Sequence, residues 1–182
     1  SALQYLAANQ LPDGSLDMTS AGGFGNPTAT EDFAIGAAAQ GVDPNTLRKD
    51  GKSVYDYFAA NGTAETVNVG RAAKLVLALV AGNTTPGRYS YDNFGGVHPL
   101  AVINAAYHSS GPTAGAFGDG SAFGQSLALL ALKAAGVPVP QASVTWLKSI
   151  RNTGNPPVPG GYPGELSTDT GWSYGNAADQ YQ

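Results

Sequence analysis

Acidic side chains in the loops are the residues of this 182-residue sequence that could carry acid–base chemistry. A glycoside hydrolase, for example, needs two carboxylates that face each other across a cleft. Loop carboxylates more often cap a helix or close a turn, and the dipeptides Asp13-Gly14 and Asp119-Gly120 are typical of turns. We therefore predict no catalytic residue, with a carboxylate pair as the alternative. The loop acids are Asp13, Asp17, Asp92, Asp119, Glu165 and Asp169.

Metal chemistry depends on Cys, His and clustered acids, and the sequence offers few of these. It contains no Cys, which excludes thiolate nucleophiles and thiolate zinc ligands. His98 precedes Pro99 at a predicted helix start, and His108 lies near a helix end, where a positive charge is favourable. No acidic segment has the alternating oxygen ligands of a calcium loop. We predict neither a metal ion nor a cofactor.

Aromatic residues in the loops are the main candidates for a binding site. Aromatic rings combined with Gly and Asn form adaptable recognition surfaces for ligands or proteins. The alternative is that the rings only cover one end of a helical scaffold, because large aromatic side chains are often partly buried. The predicted ligand-binding residues are Phe24, Tyr89, Tyr91, Phe94, Phe117, Tyr162, Trp172 and Tyr174.

Composition limits the classes of partner. Charged residues make up 12% of the chain, with 9 Lys and Arg against 13 Asp and Glu, so no basic stripe is available for nucleic acid or an acidic membrane. No stretch of about 18 apolar residues is present, and we expect no transmembrane segment. The lack of Cys, together with few charges and 25 Gly, favours an exported protein, either secreted or on the cell surface.

Small-residue helices that stop at Gly position these loops. Gly followed within a few residues by Pro ends one helix and opens the next, and this signal occurs at 40–44, 81–86 and 135–138. Segments 66–81 and 121–135 are nearly continuous Ala, Leu and Val and need a partner layer. Because no alternating β segment exists to supply it, we predict an all-α fold with an inner and an outer layer of helices. The predicted helices span 2–9, 28–40, 53–61, 66–81, 98–109, 121–135 and 141–152, with a last one starting near 176.

Three helix starts carry capping signals. The pairs Thr28–Glu31 and Ser53–Asp56 have the spacing of a capping box, in which a hydroxyl and a carboxylate satisfy free backbone N–H groups. Ser121 is expected to cap the helix that follows it.

Two repeated motifs resemble those of known helical-repeat families. Gly-Gly-Phe-Gly-Asn-Pro at 22–27 resembles the GGFxGxP element of protein-prenyltransferase β subunits, and Gly-aromatic elements recur at 115–119 and 160–164. The segment 2–16 resembles the QW repeat of squalene and oxidosqualene cyclases, with Leu16 in the place of its Trp. The resemblance implies an α/α-toroid, a partial barrel of helical hairpins. It also implies that 1–182 is a single repeat domain that lacks its C-terminal repeats.

The residues of these motifs are interpreted first as structural. Gly supplies backbone angles that other residues avoid, and a Gln side chain can bridge free helix termini. This interpretation applies to Gln10, Gly14, Phe24, Phe117 and Tyr162.

The resemblance also bears on activity. Protein prenyltransferases hold catalytic zinc with Asp, Cys and His, and Cys is absent here. Triterpene cyclases use an acid of raised pKa in a D-x-D-D cluster, whereas Asp169 is the only acid in 167–170. Segment 41–58 resembles the repeat linker of exported bacterial surface proteins related to the transcobalamin α-domain. Those relatives bind ligands rather than catalyse.

The combined expectation is a non-catalytic binding module of a secreted or cell-surface protein. Its ligand would be a hydrophobic small molecule of the cobalamin or isoprenoid class, and other domains of the same protein are expected partners. One alternative is a terpenoid-cyclase-like enzyme whose catalytic acid lies beyond Gln182. The other is a spacer that has no ligand.

Overall fold

Helices dominate the computed structural model, which describes residues 2–17 and 25–150. The all-α prediction is confirmed for this part of the chain, where the only sheet is a hairpin of two two-residue strands, β1 at Arg48–Lys49 and β2 at Lys52–Ser53. A 3-10 turn at Pro44–Thr46 precedes that hairpin. The helices are α1 Ala2–Ala8, α2 Pro27–Ala39, α3 Val54–Ala60, α4 Gly62–Glu65, α5 Val69–Gly82, α6 Pro99–Ala105, α7 Ala122–Ala134 and α8 Gln141–Ser149.

Helix α5 lies at the centre of the packing. It contacts α2 on one side and α7 on the other, so the three longest helices lie next to one another. The shorter helices pack on the long ones, α1 and α3 against α2, α6 against α5 and α8 against α7. This arrangement brings the N-terminal ends of the long helices towards one shared pocket, described below.

Two apolar clusters hold the helices together, and α5 contributes to both. Leu75 and Leu79 belong to a cluster with α2 and α3, while Val76 packs on the opposite side with α6 and α7. The near-continuous apolar sequence of this helix therefore reflects burial on two sides. On α7, by contrast, Leu130 is 56% exposed, because the flank of α7 that carries it lacks a covering helix among the described residues.

The helix starts confirm two of the three capping predictions. Asp56 accepts from the Ser53 backbone N–H at 2.8 Å, and Ser121 accepts from the Gly124 N–H at 3.3 Å. The Thr28–Glu31 box is wrong, because α2 begins at Pro27 and its cap is Asn26, which accepts from the Ala29 N–H at 3.0 Å. Glu31 consequently lies inside the helix, where its side chain points into the core.

Glycine closes the long helices in two different ways. Gly41 and Gly136 have the left-handed φ of 73° that follows α2 and α7, as the stop signal predicts. Gly82 is instead the last residue of α5, and its lack of a side chain makes room for Tyr55. A Cβ at Gly82 would lie 2.3 Å from the Tyr55 ring, so this Gly is required by packing.

The predicted helix 98–109 is shorter in the structure. It ends at Ala105 because Tyr107 pairs with Phe117 in an isolated antiparallel bridge, and the His108 backbone N–H donates to Ala116. The predicted helix near 176 lies outside the described residues.

Candidate binding groove and buried carboxyl pair

A groove of about 880 Å³ runs along α2 and α1. Its walls are mainly aliphatic, and its polar lining residues are Asn26, Thr28, Asp32 and Gln40. The volume and the apolar lining are those of small-molecule sites, which bury most of a ligand against hydrophobic walls and orient it with a few polar groups. The apolar lining includes Leu3, Leu6, Leu16, Phe33, Ala37 and Val42.

The helical spacing of α2 places these residues on one face. Ala29, Phe33, Gly36 and Gln40 recur every three or four residues and line the groove in order. Gly36 leaves the middle of this face open, since no atom of the described residues beyond the adjacent helix backbone lies within 4 Å of the position that its Cβ would occupy. This groove was not predicted from the sequence. Gly36, a Gly inside an otherwise apolar helix, is the feature that could have indicated it.

Three of the predicted ligand-binding aromatics form one cluster. Tyr89 stacks on Tyr55 with ring centroids 4.6 Å apart and meets Phe94 edge-on at 5.4 Å. The Tyr91 hydroxyl accepts from the Asn83 side chain at 2.7 Å. These rings pack against the first apolar cluster, and none of them lines the α2 groove.

The other predicted aromatics do not join that cluster. Phe117 is buried in the second apolar cluster, where it packs on Tyr107 with centroids 5.2 Å apart. Phe24, Tyr162, Trp172 and Tyr174 lie outside the described residues. A ligand-binding role for these eight aromatics stays a prediction.

A buried Gln side chain holds each of two turns in place, which agrees with the structural role predicted for Gln10. Nε2 of Gln10 donates to the Gly14 carbonyl at 2.8 Å. Gln125 accepts from the Phe117 N–H at 2.8 Å and donates to the carbonyls of Gly115 and Ser143 at 3.1 and 3.0 Å. Both side chains are buried, and each holds a loop against a helix.

Two of the loop acids, Asp13 and Asp119, accept hydrogen bonds from nearby backbone. Asp13 accepts from the Ser15 N–H at 2.9 Å and from its hydroxyl at 2.6 Å. Asp119 accepts from the Ser121 N–H at 3.0 Å. Glu165 and Asp169 lie outside the described residues.

The structure contains a pair of buried glutamates that was not predicted from the sequence. Glu31 of α2 and Glu65 of α4 are both fully buried. Oε2 of Glu65 accepts from Nη2 of Arg71 at 2.8 Å. Both oxygens of Glu31 and Oε1 of Glu65 receive no hydrogen bond from any described residue. The position of Glu31 among the apolar residues of α2 could have predicted its burial. Glu31 was instead interpreted as part of a capping box.

Burial controls the protonation of Glu31. Loss of solvation raises the pKa of Glu31 to about 9, with further contributions from a hydrogen bond that Glu31 can make to Glu65 only when it is protonated and from the negative charge of Glu65. The positive charges of Arg71 and Lys74 oppose this shift without cancelling it. Since ionised carboxylates only accept hydrogen bonds, the two groups can bond to each other when one carries a proton. Burial thus favours the neutral form of Glu31.

A second pocket, of about 620 Å³, lies where the N-terminal ends of α2, α5 and α7 meet, and we call it the polar pocket because three charged side chains line it. Its polar groups come from Thr28, Asn68, Arg71, Lys74, Asp119 and Ser121. Arg71 lines this pocket and also binds Glu65, so it connects the pocket to the buried pair. Lys74 forms an ion pair with Asp32 at 2.8 Å.

Residues 2–17 and 25–150 contain no group of three His, Asp or Glu side chains placed to hold a metal ion. None of the helices in these ranges is long and apolar enough to cross a bilayer. Comparison with family models, with curated proteins and with solved structures finds no match to this chain.

Proposed function

We propose that this chain is a non-catalytic binding module that takes a hydrophobic small molecule in the α2 groove. The observation that carries the proposal is the groove itself, with a volume of about 880 Å³, mainly apolar walls and a few polar groups. Isoprenoids and the corrin of cobalamins are the ligand classes that we favour. Both present large apolar surfaces that such walls can cover.

The family proposal is an α/α-toroid of the prenyltransferase and squalene-cyclase type, most similar to the exported bacterial relatives of the transcobalamin α-domain. Its support is the pattern of contacts, in which long α5 lies between long α2 and α7 while short helices pack on them. The left-handed Gly41 and Gly136 that close α2 and α7 also agree with repeated hairpins. Secretion or display on the cell surface belongs to the same proposal.

The groove offers little chemistry beyond binding. Asp32 is the carboxylate among its described lining residues, and it is already paired with Lys74. General acid–base catalysis by paired carboxylates needs a second acid at a suitable distance in the same cleft. A ligand that enters the groove would therefore be held and released unchanged.

A terpenoid-cyclase-like enzyme is the second candidate, and the neutral acid Glu31 is the observation that favours it. Proton-initiated cyclisation needs an acid of raised pKa that faces the substrate, and burial provides that raised pKa here. Glu31, however, lines neither the groove nor the polar pocket. A cyclase would therefore need a different catalytic acid, outside residues 1–182.

Substitution of Gly36 tests the binding proposal. Gly36→Leu places a side chain in the open middle of the groove and should lower affinity for farnesol or hydroxocobalamin at least tenfold. It should not lower stability, because Leu is favoured over Gly in a helix by about 0.8 kcal/mol. Calorimetric titration measures the affinity, and urea unfolding measures the stability.

Ala39→Leu is the matched control, since Ala39 is an exposed residue of the same helix outside the groove. It should leave affinity within about twofold. Equal affinity of the Gly36 and Ala39 variants for a bound probe would refute the groove as the site, and turnover of the probe would refute a purely binding role.

A further inference from the structure

Three buried oxygen atoms without a donor identify a place in the fold that the groove does not use. They are both carboxyl oxygens of Glu31 and Oε1 of Glu65, and no described residue donates to them. A buried polar atom that lacks a partner is unfavourable by about 1–3 kcal/mol, and more if it is charged. Two adjacent carboxylates in this state need a positively charged companion or a proton.

The charges around Glu31 leave it as the acid without a cation. On α5, Arg71 is bound to Glu65, and Lys74 is bound to Asp32. From α3, Tyr57 contributes only a neutral hydroxyl, because burial and the charge of Glu65 raise the pKa of Tyr57 to about 12. The elements packed around Glu31 thus provide two cations for three acids, which are Glu31, Glu65 and Asp32. A proton can balance the remaining negative charge without any additional side chain.

We propose that the Glu31–Glu65 pair binds a single proton that acts as a pH-sensitive latch between α2 and the α4–α5 junction. With the proton in place, Glu31 donates to Glu65, and Glu65 continues to accept from Arg71. Without it, two carboxylates face each other in a medium of low dielectric constant, where they repel strongly. The junction then loosens.

The latch lies between the two cavities. Helix α2 lines the groove with Ala29 and Phe33 and directs Glu31 to the opposite side. Arg71, the cation of the pair, also lines the polar pocket. Opening of the junction would therefore change the shape of both cavities, but the latch itself does not depend on a ligand in either of them.

The direction of the pH effect follows from the raised pKa. In the unfolded chain a Glu loses its proton near its ordinary value of 4.5, whereas folded Glu31 keeps it up to about 9. Folding therefore takes up one proton between these pH values, and the folding equilibrium constant should fall by up to about tenfold per pH unit across this window. Above about 9 the contribution is constant. Asp43 and Asp56, whose pKa values are lowered by hydrogen bonds that they accept, act below this window.

A direct test is carbon NMR of the protein labelled at its glutamate carboxyl groups. The chain contains three glutamates, Glu31, Glu65 and Glu165, so the spectrum has three carboxyl signals. We expect one signal to titrate well above pH 7 and to be absent from the Glu31→Gln variant. Titration of all three signals below pH 6 would overturn the proposal, whatever the outcome for the groove.

Two variants then test the latch itself. Glu31→Gln keeps the shape of the protonated acid and can still donate to Glu65, so stability should become nearly independent of pH from 5 to 9. Protection factors of the amides in 27–39, which are exchange rates corrected for the base-catalysed intrinsic rate, should fall at pH 9 in the wild type and not in this variant. Glu65→Gln replaces the ionised partner of Arg71 with a neutral amide and should be less stable than the wild type at pH 6, where the bound proton already prevents repulsion in the wild type. An unchanged pH slope in Glu31→Gln, or equal protection factors at pH 6 and 9 in the wild type, would show that no latch exists.

Discussion

Replacement of Gln125 by Ala is expected to lower the free energy of unfolding by about 4 kcal/mol, because it removes three buried hydrogen bonds to backbone groups. The Phe117 N–H and the carbonyls of Gly115 and Ser143 all bond to this side chain. They belong to the loop before α7 and to α8, so the loss should loosen both elements. Urea unfolding followed by circular dichroism measures the change.

Gln10 provides the comparison for this effect. Its side chain makes one short bond, to Gly14, and a long one of 3.4 Å to Leu47, while its Oε1 has no partner in the described part of the chain. Gln10→Ala should therefore lower stability by about 2 kcal/mol, roughly half of the Gln125 effect. Equal losses in the two variants would contradict the bonding pattern.

The Gln125→Glu variant separates hydrogen bonding from packing. An ionised carboxylate can accept from Phe117, but it faces the carbonyls of Gly115 and Ser143 without a proton to donate. The variant should be destabilised at pH 8 and should recover part of the loss at pH 5, where the acid can be protonated. A loss that does not change with pH would indicate that packing, rather than donation by Nε2, is the role of this residue.

Replacement of Gly82 by Ala should have the next largest effect, a loss of about 3 kcal/mol. The new Cβ would lie 2.3 Å from the ring of Tyr55, and overpacking of a dense core costs about 1–3 kcal/mol. Displacement of the ring would also break the 2.9 Å bond from the Tyr55 hydroxyl to the Ala78 carbonyl. Because Tyr89 stacks on Tyr55, the aromatic cluster should shift with it.

Gly70→Ala is the control in the same helix. Its Cβ would meet only the Asn68 side chain, at 3.5 Å, and replacement of a helical Gly by Ala typically stabilises by up to about 1 kcal/mol. Thermal unfolding should thus move in opposite directions for the two variants, and tyrosine fluorescence should change only for Gly82→Ala. A neutral or stabilising Gly82→Ala variant would disprove the close packing at this position.

Local sequence signals predicted most of the helices and two of their caps. The Gly-Pro stops located the ends of α2 and α7, since a left-handed residue after a helix is a requirement of the adjacent backbone alone. The Thr28–Glu31 prediction failed because Asn26 followed by Pro27 starts and caps the helix two residues earlier, so that Thr28 and Glu31 already lie inside it. Gly82 was interpreted as a stop of the same kind, but its requirement comes from Tyr55, 27 positions earlier in the chain.

The sequence by itself determined the all-α fold class of the described residues. Apolar spacing and helix-ending glycines depend only on residues close together in the chain, and they specify helices whatever the tertiary arrangement is. It also excluded thiolate chemistry, because no Cys is present. Only the tertiary structure decided which acid is neutral and where a ligand would fit. The pKa of Glu31 depends on burial by α5 and on Glu65, 34 positions away, and the groove exists because one face of α2 is left uncovered by the helices that pack around it.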